Sequence, residues 1–142
     1  MKLYSFIFCT LCSLASFSQQ VIFDQTIPEK DVPAASRLSD GMRQNYAVTR
    51  YVKQSAFFSE GDFYVVVTPS VVLKSKYIKT HRYPTGSMSY EGKLDGDLRG
   101  EITISRYNDR VAGMILLEDG RKFLIDQTGP SLFAISQSKE DI

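Results

Sequence analysis

The sequence predicts a mainly β domain, built as an antiparallel meander that forms a sandwich or half-barrel. From Tyr46 onward, β-branched and aromatic residues recur in short runs, which is typical of strands. Gly, Asp, Asn and Pro separate these runs, and these residues favour turns. Several runs alternate apolar and polar residues, as a strand with one buried face requires. Short strands at this spacing are expected to pack over one core.

The expected strands follow one another along the chain at residues 46–53, 63–68, 71–80, 87–94, 101–106, 111–117, 122–126 and 132–136. Pro69 has no amide hydrogen for a ladder, so a bulge or tight turn is expected there. Asp119-Gly120 predicts a type I′ hairpin turn, which needs positive φ at both central positions.

A few residues are candidate turn and bend positions. Gly113 interrupts an apolar strand, where glycine is disfavoured, and therefore predicts a bulge or a close strand crossing beneath Tyr90. The full set of these candidate structural positions is Tyr90, Gly92, Gly96, Asp97, Gly113 and Gly120.

The first 18 residues are typical of a secretory signal peptide. Lys2 precedes an apolar run over 3–15, and the small residues Ser16 and Ser18 place cleavage after Ser18. The alternative, a membrane anchor, needs roughly 20 apolar residues. The sequence therefore predicts a secreted or periplasmic protein with no transmembrane span after signal cleavage.

The remaining chain divides into an irregular N-terminal arm at 19–45, a β domain at 46–137 and a tail at 138–142. Val21, Ile22 and Phe23 could add an edge strand, and residues 34–38 could form one or two helical turns. We interpret the arm as a docking segment.

The residues offer little catalytic chemistry. Cys9 and Cys12 both lie in the signal peptide, and His81 is the one histidine, without a G-x-S-x-G or H-E-x-x-H motif. An enzyme would have to rest on His81 or on carboxylates alone, so we predict no enzymatic activity, metal or cofactor. Asp95-Gly96-Asp97 suits a turn better than a calcium loop, because no bidentate carboxylate follows at the required spacing.

The charges also argue against one class of partner. The chain has 17 Lys and Arg against 16 Asp and Glu, and Lys2 belongs to the signal peptide. The remainder is therefore neutral, whereas nucleic-acid binding usually requires a basic excess on one face.

The segments 89–97 (SYEGKLDGD), 101–105 (EITIS), 111–115 (VAGMI) and 120–125 (GRKFLI) resemble the prosegment of reprolysin-like, ADAM-type zinc metallopeptidases, especially their bacterial secreted relatives. The resemblance covers about residues 60–136. It implies a β domain that assists folding of a protease and keeps it latent by covering its active-site cleft. The family's zinc-binding cysteine has no counterpart after the signal peptide, and the sequence holds no H-E-x-x-H-x-x-G-x-x-H helix.

The predicted function is therefore a prosegment-like domain that binds a secreted zinc metallopeptidase, in cis or in trans. The alternative is a free-standing envelope or surface interaction domain with an unrelated partner. An unpaired strand edge can accept an extended segment of another chain. Lys74, Lys76 and Lys79 would block the edge at 71–80. The favoured binding edge is Leu132, Phe133, Ala134, Ile135 and Ser136.

The exported protein is expected to begin at Gln19, because the ending at Ser16 and Ser18 follows a short apolar run. Intact-mass measurement of protein recovered from the periplasm or the medium checks this start. Retention of residues 1–18 in that material would contradict it.

Overall fold

The computed structural model describes residues 20–54 and 61–139, and these residues form a mainly β fold. The signal peptide, and residues 140–142 of the predicted tail, lie outside the described residues. One sheet contains all the described strands. The strands are β1 Gln20–Ile22, β2 Gln25–Ile27, β3 Tyr46–Lys53, β4 Phe63–Thr68, β5 Val71–Arg82, β6 Met88–Leu94, β7 Gly100–Tyr107, β8 Arg110–Leu117, β9 Lys122–Gly129 and β10 Leu132–Ser138.

From β4 to β10, each strand pairs antiparallel with the next strand in the chain. β3 then pairs antiparallel with the far side of β10. The sheet curls into a half-barrel, which confirms the predicted antiparallel meander. It is nevertheless mixed, because β1 lies parallel to β4.

The two ends of this sheet are joined by one segment near the N-terminus. β1 pairs with β4 at one end, while β2 pairs with β3 at the other end. Only Phe23 and Asp24 separate β1 from β2. Residues 20–27, here called the closing segment, therefore cover part of each edge that the curled meander would leave unpaired. The predicted edge strand at 21–23 is thus part of a longer closure, and this part of the predicted arm belongs to the sheet.

The inner face of the half-barrel holds one apolar core. Alternate residues of the strands point inward, as the two-residue period of a strand requires. The buried members are Ile22, Phe23, Val52, Phe63, Val65, Val67, Leu73, Tyr90, Leu94, Ile102, Ile104, Val111, Ile115, Leu117, Phe123, Ile125, Phe133 and Ile135. Full burial of one such side chain stabilises the fold by roughly 1.5–3 kcal/mol. The closing segment contributes Ile22 and Phe23, so it is part of the core.

Residues 28–45 form a second layer across the outer face of β3 and β10. Short 3-10 turns at Glu29–Asp31 and Ala34–Ser36 lead into a one-turn helix, α1, at Asp40–Arg43. Val32 and Leu38 pack with Tyr51 of β3 and Ala134 of β10. These contacts fix the layer on the sheet, so the stretch that we interpret from the sequence as a docking arm is packed on its own domain.

A buried arginine holds the closing segment between β3 and β4. Arg50 is only 9% exposed. Its Nη2 donates to the Phe23 carbonyl at 2.6 Å, its Nε to Thr26 Oγ1 at 2.7 Å, and its Nη1 to the Val66 carbonyl at 2.7 Å. These partners lie on the closing segment and on β4, while Arg50 belongs to β3. One guanidinium therefore joins three strands, because its planar fork carries five donors.

Burial lowers the pKa of Arg50 from its ordinary value, and the charge of Asp24 partly opposes this effect. An arginine side chain nonetheless remains protonated in a folded protein. The junction of β3, β4 and the closing segment is here called the seam. The positive charge in the seam is thus stabilised by carbonyl oxygens and by a nearby carboxylate.

Phe23 is the residue at which the closing segment crosses from β4 to β3. Its φ of 61° lies in the left-handed region, which is uncommon for a residue other than glycine. Its ring is fully buried, with its centroid 5.4 Å from that of Phe133. Its amide donates to Gln54 Oε1 at 2.8 Å. The core contact and the two backbone hydrogen bonds, to Arg50 and Gln54, hold Phe23 in this conformation.

The connections lie where the sequence predicts them, but one turn is of a different type from the one predicted. A register shift between Val66 and Thr68 gives the bulge expected near Pro69. At the β8–β9 hairpin, Gly120 has a φ of 97°, but Asp119 is not among the residues with positive φ. The Gly120 amide donates to the Leu117 carbonyl at 3.0 Å. The predicted type I′ turn is therefore wrong, and the loop is a type I turn followed by a left-handed glycine.

Arg50→Met is expected to lower the free energy of unfolding by about 2–4 kcal/mol, because it leaves buried carbonyls of the seam without donors. Arg50→Lys should recover only part of this loss, since one ammonium cannot reach partners on three strands. Urea unfolding of both variants measures the effect. Arg99→Met, at an exposed arginine, is the control and should be close to neutral. Equal small losses for Arg50→Met and Arg99→Met would contradict this account of the seam.

Candidate partner-binding surface

The predicted binding edge at Leu132, Phe133, Ala134, Ile135 and Ser136 is not an edge. It belongs to β10, which pairs with β9 on one side and with β3 on the other. Phe133 and Ile135 lie in the inner core, and Ala134 lies beneath the outer layer. The prediction was wrong because the partner of β10 is β3, which the whole meander separates from it along the chain.

The second candidate edge, at 71–80, is also internal. It forms most of β5, which pairs with β4 and with β6. Its lysines lie beside acidic residues of the neighbouring strand and turn: Lys76 Nζ is 2.8 Å from Asp95 Oδ2, and Lys79 Nζ is 3.6 Å from Glu91 Oε2. These lysines therefore do not guard an open edge.

Within the Tyr90-x-Gly92 element of β6, the Tyr90 side chain packs over Gly92. Tyr90 is buried, and its Oη lies 2.9 Å from Ser75 Oγ. A Cβ atom on Gly92 would lie 2.9 Å from ring atom Cε1 of Tyr90 and would also meet Ser75 Oγ. Burial raises the pKa of Tyr90. Gly92 therefore leaves the space that the Tyr90 ring and its hydrogen bond occupy.

Gly113 also stands where a side chain would collide, but with other partners than expected. A Cβ there would lie 2.8 Å from the Thr103 carbonyl oxygen, and 3.3 Å from side-chain atoms of Ile104 and Ile125. Gly113 pairs in regular register with Ile104 and Ile125. The expected bulge beneath Tyr90 is therefore wrong. The two isoleucines of the adjacent strands fill the inward position that Gly113 leaves empty.

The other candidate positions lie in turns. Gly96, with a φ of 144°, and Asp97 follow β6 in the connection to β7. The ion pair of Asp95 with Lys76 lowers the Asp95 pKa. Among residues 20–54 and 61–139, no group of three or more His, Cys, Asp or Glu side chains could hold a metal ion.

His81 lies on β5 with a side chain 43% exposed. Its Nε2 is 3.9 Å from Glu91 Oε1, and its ring stacks on Tyr83 with centroids 6.4 Å apart. A nucleophilic triad requires a serine or cysteine within hydrogen-bond reach of the imidazole. Neither of these two neighbours is such a nucleophile, and the cross-strand partner Ser89 has its Oγ 3.2 Å from Ser105 Oγ.

An open groove of about 820 Å³ runs between the outer layer and the β7–β8 hairpin. Leu38 and Met42 line one wall, and Tyr107 and Arg110 line the other. Tyr107 is 64% exposed and Met42 is 43% exposed. Arg110 Nη2 lies 3.2 Å from Asp126 Oδ1 within β9. The groove thus combines apolar contact area with a charged pair at its rim.

One groove-lining residue has a buried polar atom without a hydrogen-bond partner among the described residues. Thr128 lines the groove, and its Oγ1 is buried without a hydrogen-bond partner among the described residues. A hydroxyl can donate one hydrogen bond and accept two. Because this atom is buried, it adds no polar contact to the surface of the groove.

Sequence reasoning did not find this groove. Its two walls come from 35–42 and 107–110, which the pattern places in unrelated parts of the chain. One local signal was available: Tyr107 is a large aromatic residue directly before the Asn108-Asp109 turn. A large aromatic residue beside a hairpin turn is expected to remain partly exposed, because burial is limited at the tip of a hairpin.

Among the described residues, no helix has the length and the hydropathy that a membrane span requires. Comparisons of the chain with protein-family models, with curated proteins and with solved structures give no match.

Gly113→Val is expected to lower the free energy of unfolding by about 1–3 kcal/mol, because the new side chain overlaps Thr103, Ile104 and Ile125. Ser105→Val, at an exposed strand position, is the matched control and should be close to neutral. Thermal unfolding of both variants compares them. A negligible shift for Gly113→Val would show that the neighbouring strands can move apart at no cost.

Proposed function

We propose that this chain is a prosegment-like domain that binds a secreted zinc metallopeptidase and keeps it latent or assists its folding. The proposal draws on the sequence resemblance of 89–97, 101–105, 111–115 and 120–125, which lie on β6 to β9 and their turns. The observation that carries the binding role is the groove with the exposed Tyr107 at its rim.

The groove suits a protein partner because of the residues it presents. Tyrosine and arginine are enriched among the residues that dominate binding energy at protein interfaces, and such residues cluster where water is excluded. Tyr107 and Arg110 flank the two-residue turn between β7 and β8, and Met42 faces them from the outer layer. A projecting loop of a partner could place an apolar side chain between these walls.

The sheet edges also bear on this role. Recognition by strand addition needs an exposed sheet edge, and the closing segment covers part of β3 and part of β4 in the described meander. The paired backbone of such a domain can lie against a peptidase without entering its cleft as an extended substrate.

The alternative is an envelope or surface interaction domain with an unrelated partner. The groove could serve such a partner equally well, because its chemistry is that of a general protein interface. The two proposals differ in one measurable property, namely whether the domain inhibits a zinc metallopeptidase.

The wild-type domain is expected to inhibit hydrolysis of a fluorogenic peptide by an ADAM-type secreted zinc metallopeptidase from the same organism. Tyr107→Ala should weaken inhibition about tenfold or more, because it removes an exposed aromatic contact of the kind that dominates interfaces. Tyr83→Ala, at a tyrosine that is 51% exposed and does not line the groove, is the matched control and should leave inhibition unchanged.

Circular dichroism and thermal unfolding establish that each variant is folded before inhibition is compared. Failure of folded wild-type domain to inhibit such a peptidase would contradict the proposed function. Inhibition that falls equally in both tyrosine variants would contradict the assignment of the groove.

A further inference from the structure

The closing segment at residues 20–27 combines strong anchors with few backbone pairs. Ile22 and Phe23 are both 0% exposed. Only three residue pairs join β1 to β4, and three more join β2 to β3. Most of its other residues, including Gln20, Val21 and Gln25, are exposed. Two side chains in the core therefore provide much of its attachment.

Specific groups on the rest of the chain bind this segment. Arg50 donates to the Phe23 carbonyl and to Thr26 Oγ1, and Gln54 Oε1 accepts from the Phe23 amide. β3 and β4 supply the strand pairs on either side. All these contacts join the segment to groups outside it, so an identical segment from another molecule could make the same contacts.

An empty seam would be unfavourable. The facing edges of β3 and β4 would lose their strand partners, and Phe133 would lose the ring contact with Phe23. Arg50, buried at 9% exposure, would lose two of its acceptors. Buried donors without partners are costly. A molecule whose own segment has left would therefore favour another occupant over an open seam.

The segment also has features that favour its release. Phe23 has a φ of 61°, a conformation that stores strain in a residue other than glycine. Pro28 follows β2 directly, with extended backbone at φ −57° and ψ 139°. This proline separates the segment from the outer layer, so exchange requires the chain to change direction at this point. Strand exchange between identical chains is a low-cost route to dimers.

We propose that the seam between β3 and β4 is a strand-acceptor site whose occupant can be the Gln20–Ile27 segment of a second copy of this chain. Two molecules then exchange closing segments and form a dimer that keeps every contact of the seam. This self-association is independent of the proposed peptidase binding, and it does not involve the groove.

Engineered cysteines test the exchange in the full-length chain. In a Cys9→Ser, Cys12→Ser background, one protein carries Gln25→Cys and a second carries Lys53→Cys. Gln25 and Lys53 are cross-strand partners in β2 and β3, and both are exposed. The two proteins are mixed at high concentration, incubated below the unfolding transition and then oxidised.

The mixture is expected to give several-fold more disulfide-linked heterodimer, measured by mass, than a control mixture of Gln25→Cys with Glu101→Cys. Glu101 is exposed on β7, away from the seam. A synthetic peptide of residues 20–28 in excess should lower the heterodimer yield several-fold. The same peptide with Ile22→Ala and Phe23→Ala should have little effect.

A heterodimer yield equal to that of the control would overturn the proposal. Heterodimer that the wild-type peptide does not reduce would overturn it as well, because the disulfide would then arise from contact outside the seam. Neither outcome bears on inhibition of a peptidase, so the two proposals fail separately.

Discussion

The fold depends on the hydrogen bonds that the Arg50 guanidinium makes where strand pairing does not complete the curled sheet. A curled antiparallel meander has two edges, and each edge presents unpaired amides and carbonyls. Here a short segment crosses from one edge to the other, and at the crossing it cannot pair fully with either. Arg50 supplies donors at that point to the carbonyls of Phe23 and Val66. An arginine suits this place because its donors spread in a plane.

This interaction explains why the strands were predictable and the closure was not. Each strand has a local signal, namely alternation or an apolar run between turn residues, and that signal placed the strands from β3 to β10 close to their observed bounds. Closure depends on contacts between residues distant in sequence. Residues 20–27 have two prolines nearby and no long period, so their strands are visible only when β3 and β4 are in place. One clue was present: Arg50 shares its strand face with Val52, which is an inward position.

The prediction of the edge strands was wrong for the same physical reason. Strand order in a sheet is a property of the whole chain, and the two-residue period says which face of a strand is buried without saying which strands lie beside it. The last strand of a meander is ordinarily an edge. β10 is internal because it pairs with β3, which precedes the meander in the chain. The small Ala134 allows Val32 and Leu38 of the outer layer to pack closely over it.

For the glycines, the sequence predicts some properties and only the structure shows the others. Gly113 was recognisable as a position that needs no side chain, whereas Gly92 was predicted as a bend and lies within β6. The neighbours of both were not predictable, because those are set by strand register. In both cases the inward space is filled from nearby, by Tyr90 on the same strand and by isoleucines on the adjacent strands. The residues that carry the family resemblance thus mainly serve packing and turns. They bear on the fold, whereas the groove residues Met42, Tyr107 and Arg110 lie outside the resembling segments.

The groove and the seam are nevertheless linked through β3. Tyr51 follows Arg50 directly and points to the opposite face, where its hydroxyl accepts from the Leu38 amide at 2.9 Å. Leu38 lines the groove. The same strand therefore holds the closing segment with one residue and positions a wall of the groove with the next. Because adjacent residues of a strand face opposite sides, β3 connects the integrity of the sheet to the shape of the candidate binding surface.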